Sequence, residues 1–209
     1  MTTAIPDWLR WAREIQAISQ TGSHYAADHF DAERYQRLAA IAAEMFASHT
    51  DLPPDELTRE FQGLTGYTTP RVDVRAAVFN DQGHLLLVQD WQDHTWSLPG
   101  GWADVGDVPS EAAEREALEE TGFDVKVCKV IGVYDANRVD GALDLYHAYK
   151  LIYLCNLIHG EARTSDETVA VDFFSQDALP GPLGSRTTGQ QIEHAFQHRA
   201  DPALPTFFD

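Results

Sequence analysis

The apolar positions follow two different periods, and the change falls at residue 70. Before it the spacing is helical. Trp8, Leu9, Trp11, Ile15 and Ile18 form a broad apolar stripe in a segment opened by Pro6 and Asp7, and Gly22 reads as its stop. Asp31 reads as the N-cap of a second helix, with Tyr35, Leu38, Ile41, Ala42, Met45 and Phe46 at helical spacing. A shorter third helix is predicted over 54–61; Gly63 and Gly66 end it and Pro70 closes the linker. After Pro70 the period drops to two: Val72, Val74, Ala76 and Val78 alternate with Asp73, Arg75, Ala77 and Phe79, as in a strand. Asn80-Asp81-Gln82-Gly83 is a turn signal, and 84–89 a second strand. A Gly-rich loop over 96–107 and a helix over 109–120 follow. Strands are predicted over 125–134, 146–157 and 168–175, and a closing helix over 187–198. Strands mixed with two helices predict an α/β fold, a helix–sheet–helix sandwich. Residues 1–69 read as a small helical arm in front of a larger domain over 70–209.

Composition narrows the function. The chain has 209 residues, 44% of them hydrophobic, enough for a sizeable core in one domain or two unequal ones. Its net charge is −18, from 33 acidic and 15 basic side chains, and Lys126, Lys129 and Lys150 are its only lysines. Such a surface repels a polyanion, so no duplex-DNA partner is expected, and it offers no polybasic patch to an anionic membrane. A nucleotide remains possible, because a metal ion can screen a few phosphates locally. Cys128 and Cys155 lie in apolar, strand-like stretches and read as buried thiols rather than a disulfide framework. Asp7, Arg10, Arg13 and Glu14 interrupt the N-terminus, so no secretory signal is expected there. The longest apolar run, 151–158, contains Asn156 and is too short to span a bilayer. A cytoplasmic protein is expected. The nine His show no zinc-ligand spacing, and no P-loop motif is present.

The chemistry lies in one stretch. Pro109 and Ser110 mark a helix start and Gly122 a natural end, so Glu116, Glu119 and Glu120 share one helical face at i, i+3 and i+4. Ala112, Ala113, Ala117 and Leu118 offer a packing face. Like charges at this spacing cost a few tenths of a kcal/mol per pair, and they stand at the helix end that disfavours anions. Arg115 cannot neutralise all three. A bound divalent cation is the simplest compensation, and oxygen-only ligands suit Mg2+ or Mn2+ better than zinc.

The full pattern is Gly101, Asp107, Arg115, Glu116, Ala117, Glu119, Glu120, Gly122 and Phe123. It resembles the Nudix box, with Asp107 where the family usually has Glu. The run from Trp96 through Gly100-Gly101-Trp102 to Gly106 is similar to the family too. So is the arm, with Trp11, Gln20-Thr21-Gly22 and Phe30-Asp31: it looks like that of a bacterial Nudix subgroup described as ADP-ribose or CDP-choline pyrophosphatases. The resemblance implies an α/β/α sandwich with a mixed sheet. It implies Mg2+- or Mn2+-dependent hydrolysis of the diphosphate linkage of a nucleoside diphosphate joined to a small molecule. Glu116, Glu119 and Glu120 become metal ligands, with Arg115, Glu119 and Glu120 in the catalytic set. The family's general base is often a Glu on a loop near the last strand. Glu167 stands in that place, with Glu161 and Asp166 as rivals. Asp107 is expected to help orient Arg115 and Glu116.

Substrate contacts are expected from Arg75, Gly101, Tyr134 and Arg138. Arg75 is placed either for a phosphate or for an ion pair with Asp73. Tyr134 and Arg138 stand at a strand-to-loop edge, and Trp102 is open to core or ligand. Trp8, Trp11, Ile15 and Ile18 form either a private core of the arm or, the preferred reading, a homodimer contact. Two other functions stay open: a catalytically weak Nudix-like nucleotide sensor, and a hydrolase acting on RNA 5′ ends.

Overall fold

The computed structural model describes residues 6–138 and 145–209. Contacts divide the described residues into two compact units, 6–70 with 145–147, and 71–138 with 148–209.

The first unit holds three helices, α1 (Asp7–Tyr25), α2 (His29–Ala47) and α3 (Pro54–Gly63). Its core is Leu9, Ala12, Ala39, Ala42, Ala43, Phe46, Leu57 and Phe61. Three sequence expectations are corrected. The stripe on α1 splits in two: Leu9, Ala12, Gln16 and Ser19 are buried, whereas Trp11 and Ile18, seven residues apart and so on one line, stay about half exposed. The N-cap of α2 is Asp28, whose Oδ1 accepts the Asp31 N–H at 2.9 Å. Gly22 does not stop α1, which runs on to Tyr25. A Cβ at Gly22 would come within 2.1 Å of the Tyr35 ring, so the glycine lets α1 and α2 approach closely.

The second unit is built on one mixed sheet. Its strands are β1 (Arg71–Phe79), β2 (Leu85–Asp90), β3 (Trp96–Ser97), β4 (Gly100–Trp102), β5 (Phe123–Asp135), β6 (Ala148–Gly160), β7 (Thr168–Phe174) and β8 (Phe207–Phe208). The order is β3-β2-β1-β6-β5-β8, with β4 paired to β1 and β7 to β2. The β1–β6 and β5–β8 pairs are parallel and the others antiparallel. The Gly-rich loop thus contains two short strands, and β8 adds one that the sequence pattern does not show.

Alternation along β1 sorts the two faces. Val74, Ala76 and Val78 pack with Ala112, Ala113 and Ala117 of α4 (Pro109–Thr121). Ala77 and Phe79 pack with Ile192 and Ala195 of α5 (Gly189–Ala200). Leu85, Leu86 and Leu87 are all fully buried, because β2 is covered on both faces; each contributes about 1.5–3 kcal/mol of burial. The α/β/α sandwich follows.

Cys155 is buried, but Cys128 is exposed. Val125 and Val127 turn to the core, so alternation puts Cys128 on the solvent side with the exposed Lys126, and the β5–β6 register shift between Val127 and Lys129 leaves it as the extra residue of a bulge.

Candidate active site

The glutamate face is held from both ends of α4. Pro109 occupies the first turn, where its missing N–H is no loss, and Gly122 ends the helix in the left-handed conformation (φ 77°) with its N–H on the Leu118 carbonyl. The chain after β6 is tied to this end. Arg163 N–H reaches the Thr121 carbonyl at 2.9 Å, and the buried Thr168 hydroxyl donates to the Glu120 carbonyl at 3.1 Å.

Two of the three carboxylates meet backbone rather than solvent. Gly100 donates its N–H to Glu120 Oε2 at 2.9 Å. A Cβ on Gly101 would stand 2.8 Å from Glu116 Oε2, and one on Gly100 (φ 142°) would stand 2.0 Å from the Val74 carbonyl oxygen. The glycine pair is therefore a steric requirement, letting β4 lie on β1 and under the carboxylates at once.

Arg115 organises the other contacts. Its Nη1 lies 2.8 Å from Glu116 Oε1 and 3.2 Å from Glu119 Oε2, and its Nη2 3.2 Å from Asp107 Oδ2. Asp107 Oδ2 also accepts the Asp104 N–H at 3.0 Å. Asp107 thus reaches Glu116 through Arg115. Because this contact is already made by the shorter side chain, Asp107→Glu is expected to leave kcat within about tenfold of the native value. A larger rise in a steady-state assay would show that Asp107 impairs the site.

Burial sets the charge state. It pushes the Glu120 carboxyl up to about 7; Arg75 and the Gly100 N–H oppose it, and the negative charges of Glu116 and Glu167 reinforce it. Burial also raises Glu116, against the pull of Arg115. Two half-buried carboxylates side by side, with only oxygen donors, fit a hard cation. Among the described residues no three His, Cys, Asp or Glu side chains converge into a ready cluster, since Glu119 turns to Arg115 and Glu120 to Gly100. A cation held by all three would draw Glu119 off Arg115.

The remaining candidates fall in different places. The exposed Glu167 sits on the loop before β7: its N–H donates to Ser165 Oγ at 3.1 Å, its carbonyl accepts the Trp91 N–H at 3.1 Å, and its charge acts on Glu120. Arg75 is buried and makes a bidentate pair with Asp73 (Nε–Oδ1 2.7 Å, Nη2–Oδ2 3.0 Å), with Nη1 on the Leu98 carbonyl at 3.1 Å. Tyr134 belongs to the core on the α5 side, its hydroxyl 2.8 Å from His194 Nδ1 and its ring stacked on Phe207. Arg138 is exposed at the end of the short 3-10 turn after β5. Sequence reading missed Thr168 and the Gly100 N–H as supports of Glu120; the adjacent Gly100-Gly101 is the one signal that could have pointed to the latter.

Comparison with known proteins gives two family matches. A model described as a NUDIX domain matches residues 69–194, and one described as a UDP-X-like, N-terminal oligomerisation domain matches residues 6–61. A Bacillus subtilis protein named provisionally as the ADP-ribose pyrophosphatase YjhB is 36% identical over 202 residues, 97% of each chain. The crystal structure of a UDP-X diphosphatase is 32% identical, covers 97% of this chain and 98% of its own, and superposes with a TM-score of 0.62. That of an ADP-ribose pyrophosphatase from Streptococcus suis is 37% identical, covers 68% of this chain and all of its own, and gives 0.61. Among the described residues no helix is long and apolar enough to cross a membrane.

Proposed function

This chain belongs to the Nudix family, and from that premise we propose that it hydrolyses the diphosphate linkage of a nucleoside diphosphate joined to a small group, of ADP-ribose or CDP-choline type. Water adds to one phosphorus, the bridging P–O bond breaks, and a nucleoside monophosphate leaves from a second phosphorylated product. Support comes above all from Glu116 and Glu120, two half-buried carboxylates held against the backbone of Gly101 and Gly100. The relatives named for ADP-ribose and UDP-X substrates point to the same class.

Glu116, Glu119 and Glu120 are the proposed ligands of Mg2+ or Mn2+. Bound there, the cation screens phosphoryl charge and lowers the pKa of its water. The chain's own residues do the positioning. Asp107 fixes Arg115, and Arg115 fixes Glu116. Arg75 lends positive charge beneath Glu116 and Glu120. Glu167, beside Glu120 on a loop pinned by Thr168, is the proposed proton acceptor for the attacking water.

The test is a screen of ADP-ribose, CDP-choline, NADH, dinucleoside polyphosphates and nucleoside triphosphates with Mg2+ and with Mn2+, read as phosphate freed by an added phosphatase. Turnover of ADP-ribose or CDP-choline with release of the monophosphate is expected. No monophosphate from any substrate with either metal would leave the nucleotide-sensor reading in its place.

The assembly is proposed to be a homodimer joined through the first unit. Trp11, Ile18, Tyr25 and Phe30 are all about half exposed or more there, and the match to an oligomerisation domain covers them. Sedimentation equilibrium is expected to return twice the chain mass. Trp11→Glu is expected to shift it to the monomer, and a native chain that sediments only as monomer removes the proposal.

A further inference from the structure

One large side chain on the strand that bears Gly100 and Gly101 belongs to neither core cluster of this unit. Trp102, the last residue of β4, is about half exposed. Among the described residues β4 pairs only with β1, so no strand covers its other edge. A tryptophan left in this state forgoes much of the burial that usually keeps the residue inside. Its neighbour in the chain is Gly101, whose missing Cβ makes room for Glu116. The Trp102 Cα lies one residue, about 3.8 Å, further along the strand. Trp102 pairs with Asp73 across β1, so its indole leaves the strand on the face of Asp73 and Arg75, opposite the one Gly101 turns to Glu116. Arg75, on that same face, is the cation whose charge reaches Glu116 and Glu120, so a diphosphate drawn to both would bring its nucleoside toward the indole. The Arg71 guanidinium stands over the ring, 5.8 Å from its centroid, which backs the indole and adds positive charge next to a polyanion's path.

We propose that the exposed indole of Trp102, backed by Arg71, is the platform on which the nucleobase of the substrate stacks. This deepens the proposed function and rests on it for the diphosphate's position. Every base has a π-face, so a stacking platform is tolerant of base identity. Recognition of this kind takes adenine, cytosine and uracil nucleotides alike and leaves selectivity to the group on the far side of the diphosphate.

The test compares the native chain with Trp102→Ala and Trp102→Phe. Calorimetry in Mg2+ measures binding of AMP, CMP and the base-free ribose 5-phosphate. Steady-state kinetics on ADP-ribose and CDP-choline gives KM and kcat, and sedimentation checks the assembly. Trp102→Ala is expected to weaken AMP and CMP about tenfold and raise KM by a similar factor. It should leave ribose 5-phosphate affinity unchanged and kcat within about threefold. Phe restores most of the loss, since a smaller ring still stacks. The proposal is overturned if AMP and CMP bind the alanine variant as they bind the native chain, or if ribose 5-phosphate loses as much. A change of assembly state would equally overturn it, by making Trp102 an interface residue. If the native chain binds the monophosphates through Trp102 but hydrolyses no nucleotide, the hydrolase reading fails and the platform stands.

Discussion

Glu120→Gln is expected to cut kcat by about 10³-fold or more and, at the same time, to make the metal-free protein more stable above pH 7. The two effects have one cause. Burial lifts the Glu120 carboxyl from its ordinary 4.5 to about 7. Between those values the folded chain holds a proton that the unfolded chain has released, so stability falls as pH rises through the interval. Above pH 7 the whole cost is present, on the order of 3 kcal/mol at about 1.4 kcal/mol per unit. Glutamine keeps an oxygen for the Gly100 N–H and carries no charge, so it removes the cost. It also removes a ligand that must be ionised to grip a cation. Thermal melts of the metal-free proteins at pH 5 and pH 8 should show a drop for the native chain and a smaller one for the variant. Added Mg2+ should recover stability at pH 8 in the native chain far more than in the variant. A variant that keeps kcat within tenfold, or that melts below the native chain at pH 8, removes Glu120 from its proposed role.

That trade of stability for a charged site was partly visible in the sequence. Three glutamates at i, i+3 and i+4 against the unfavourable end of a helix are a local pattern, and Pro109 and Gly122 fix the bounds of that helix locally as well. The same holds for β1, whose alternation assigns Val74, Ala76 and Val78 to one core and Ala77 and Phe79 to the other. What the sequence hid depends on partners far along the chain. Gly22 looks like a helix stop until Tyr35 is seen against it. Cys128 looks buried until the inward side of β5 is seen to be that of Val125 and Val127, with Cys128 on the side of the exposed Lys126. Tyr134 reads as a strand-edge residue, yet His194 and Phe207 close over it, some sixty residues or more downstream. β8 itself is two residues long and has no period to detect; Lys129, whose ammonium donates to the Pro202 and Leu204 carbonyls, and the Thr206 hydroxyl, which donates to the Val130 carbonyl, hold its approach to β5. Arg75 reads in sequence as open to a phosphate or an ion pair, because Asp73 lies two residues away on the same face, and only three dimensions show both Asp73 carboxylate oxygens engaged.

The second large effect separates proton transfer from metal binding. Glu167→Gln is expected to lower kcat by about 10²–10⁴-fold, the usual range for loss of a general base, with KM little changed. Three contacts fix the loop around it: Ser165 Oγ accepts its N–H, its carbonyl accepts the Trp91 N–H, and the neighbouring Thr168 hydroxyl holds the Glu120 carbonyl. The amide side chain leaves these backbone ties intact, so the loss is one of chemistry rather than of folding. Its second consequence has the opposite sign. The Glu167 charge is one of the groups that raise Glu120, so removing it lowers the Glu120 pKa and lets a cation compete better with the proton near neutral pH. Mg2+ affinity measured by calorimetry at pH 6.5 should therefore rise in the variant while turnover collapses. Asp166→Asn and Glu161→Gln serve as controls on the same loop and are expected to keep kcat within about tenfold. If either control loses more than Glu167→Gln, that residue takes the proton instead. Loss of Mg2+ affinity together with kcat in the Glu167 variant would make Glu167 a ligand rather than a base.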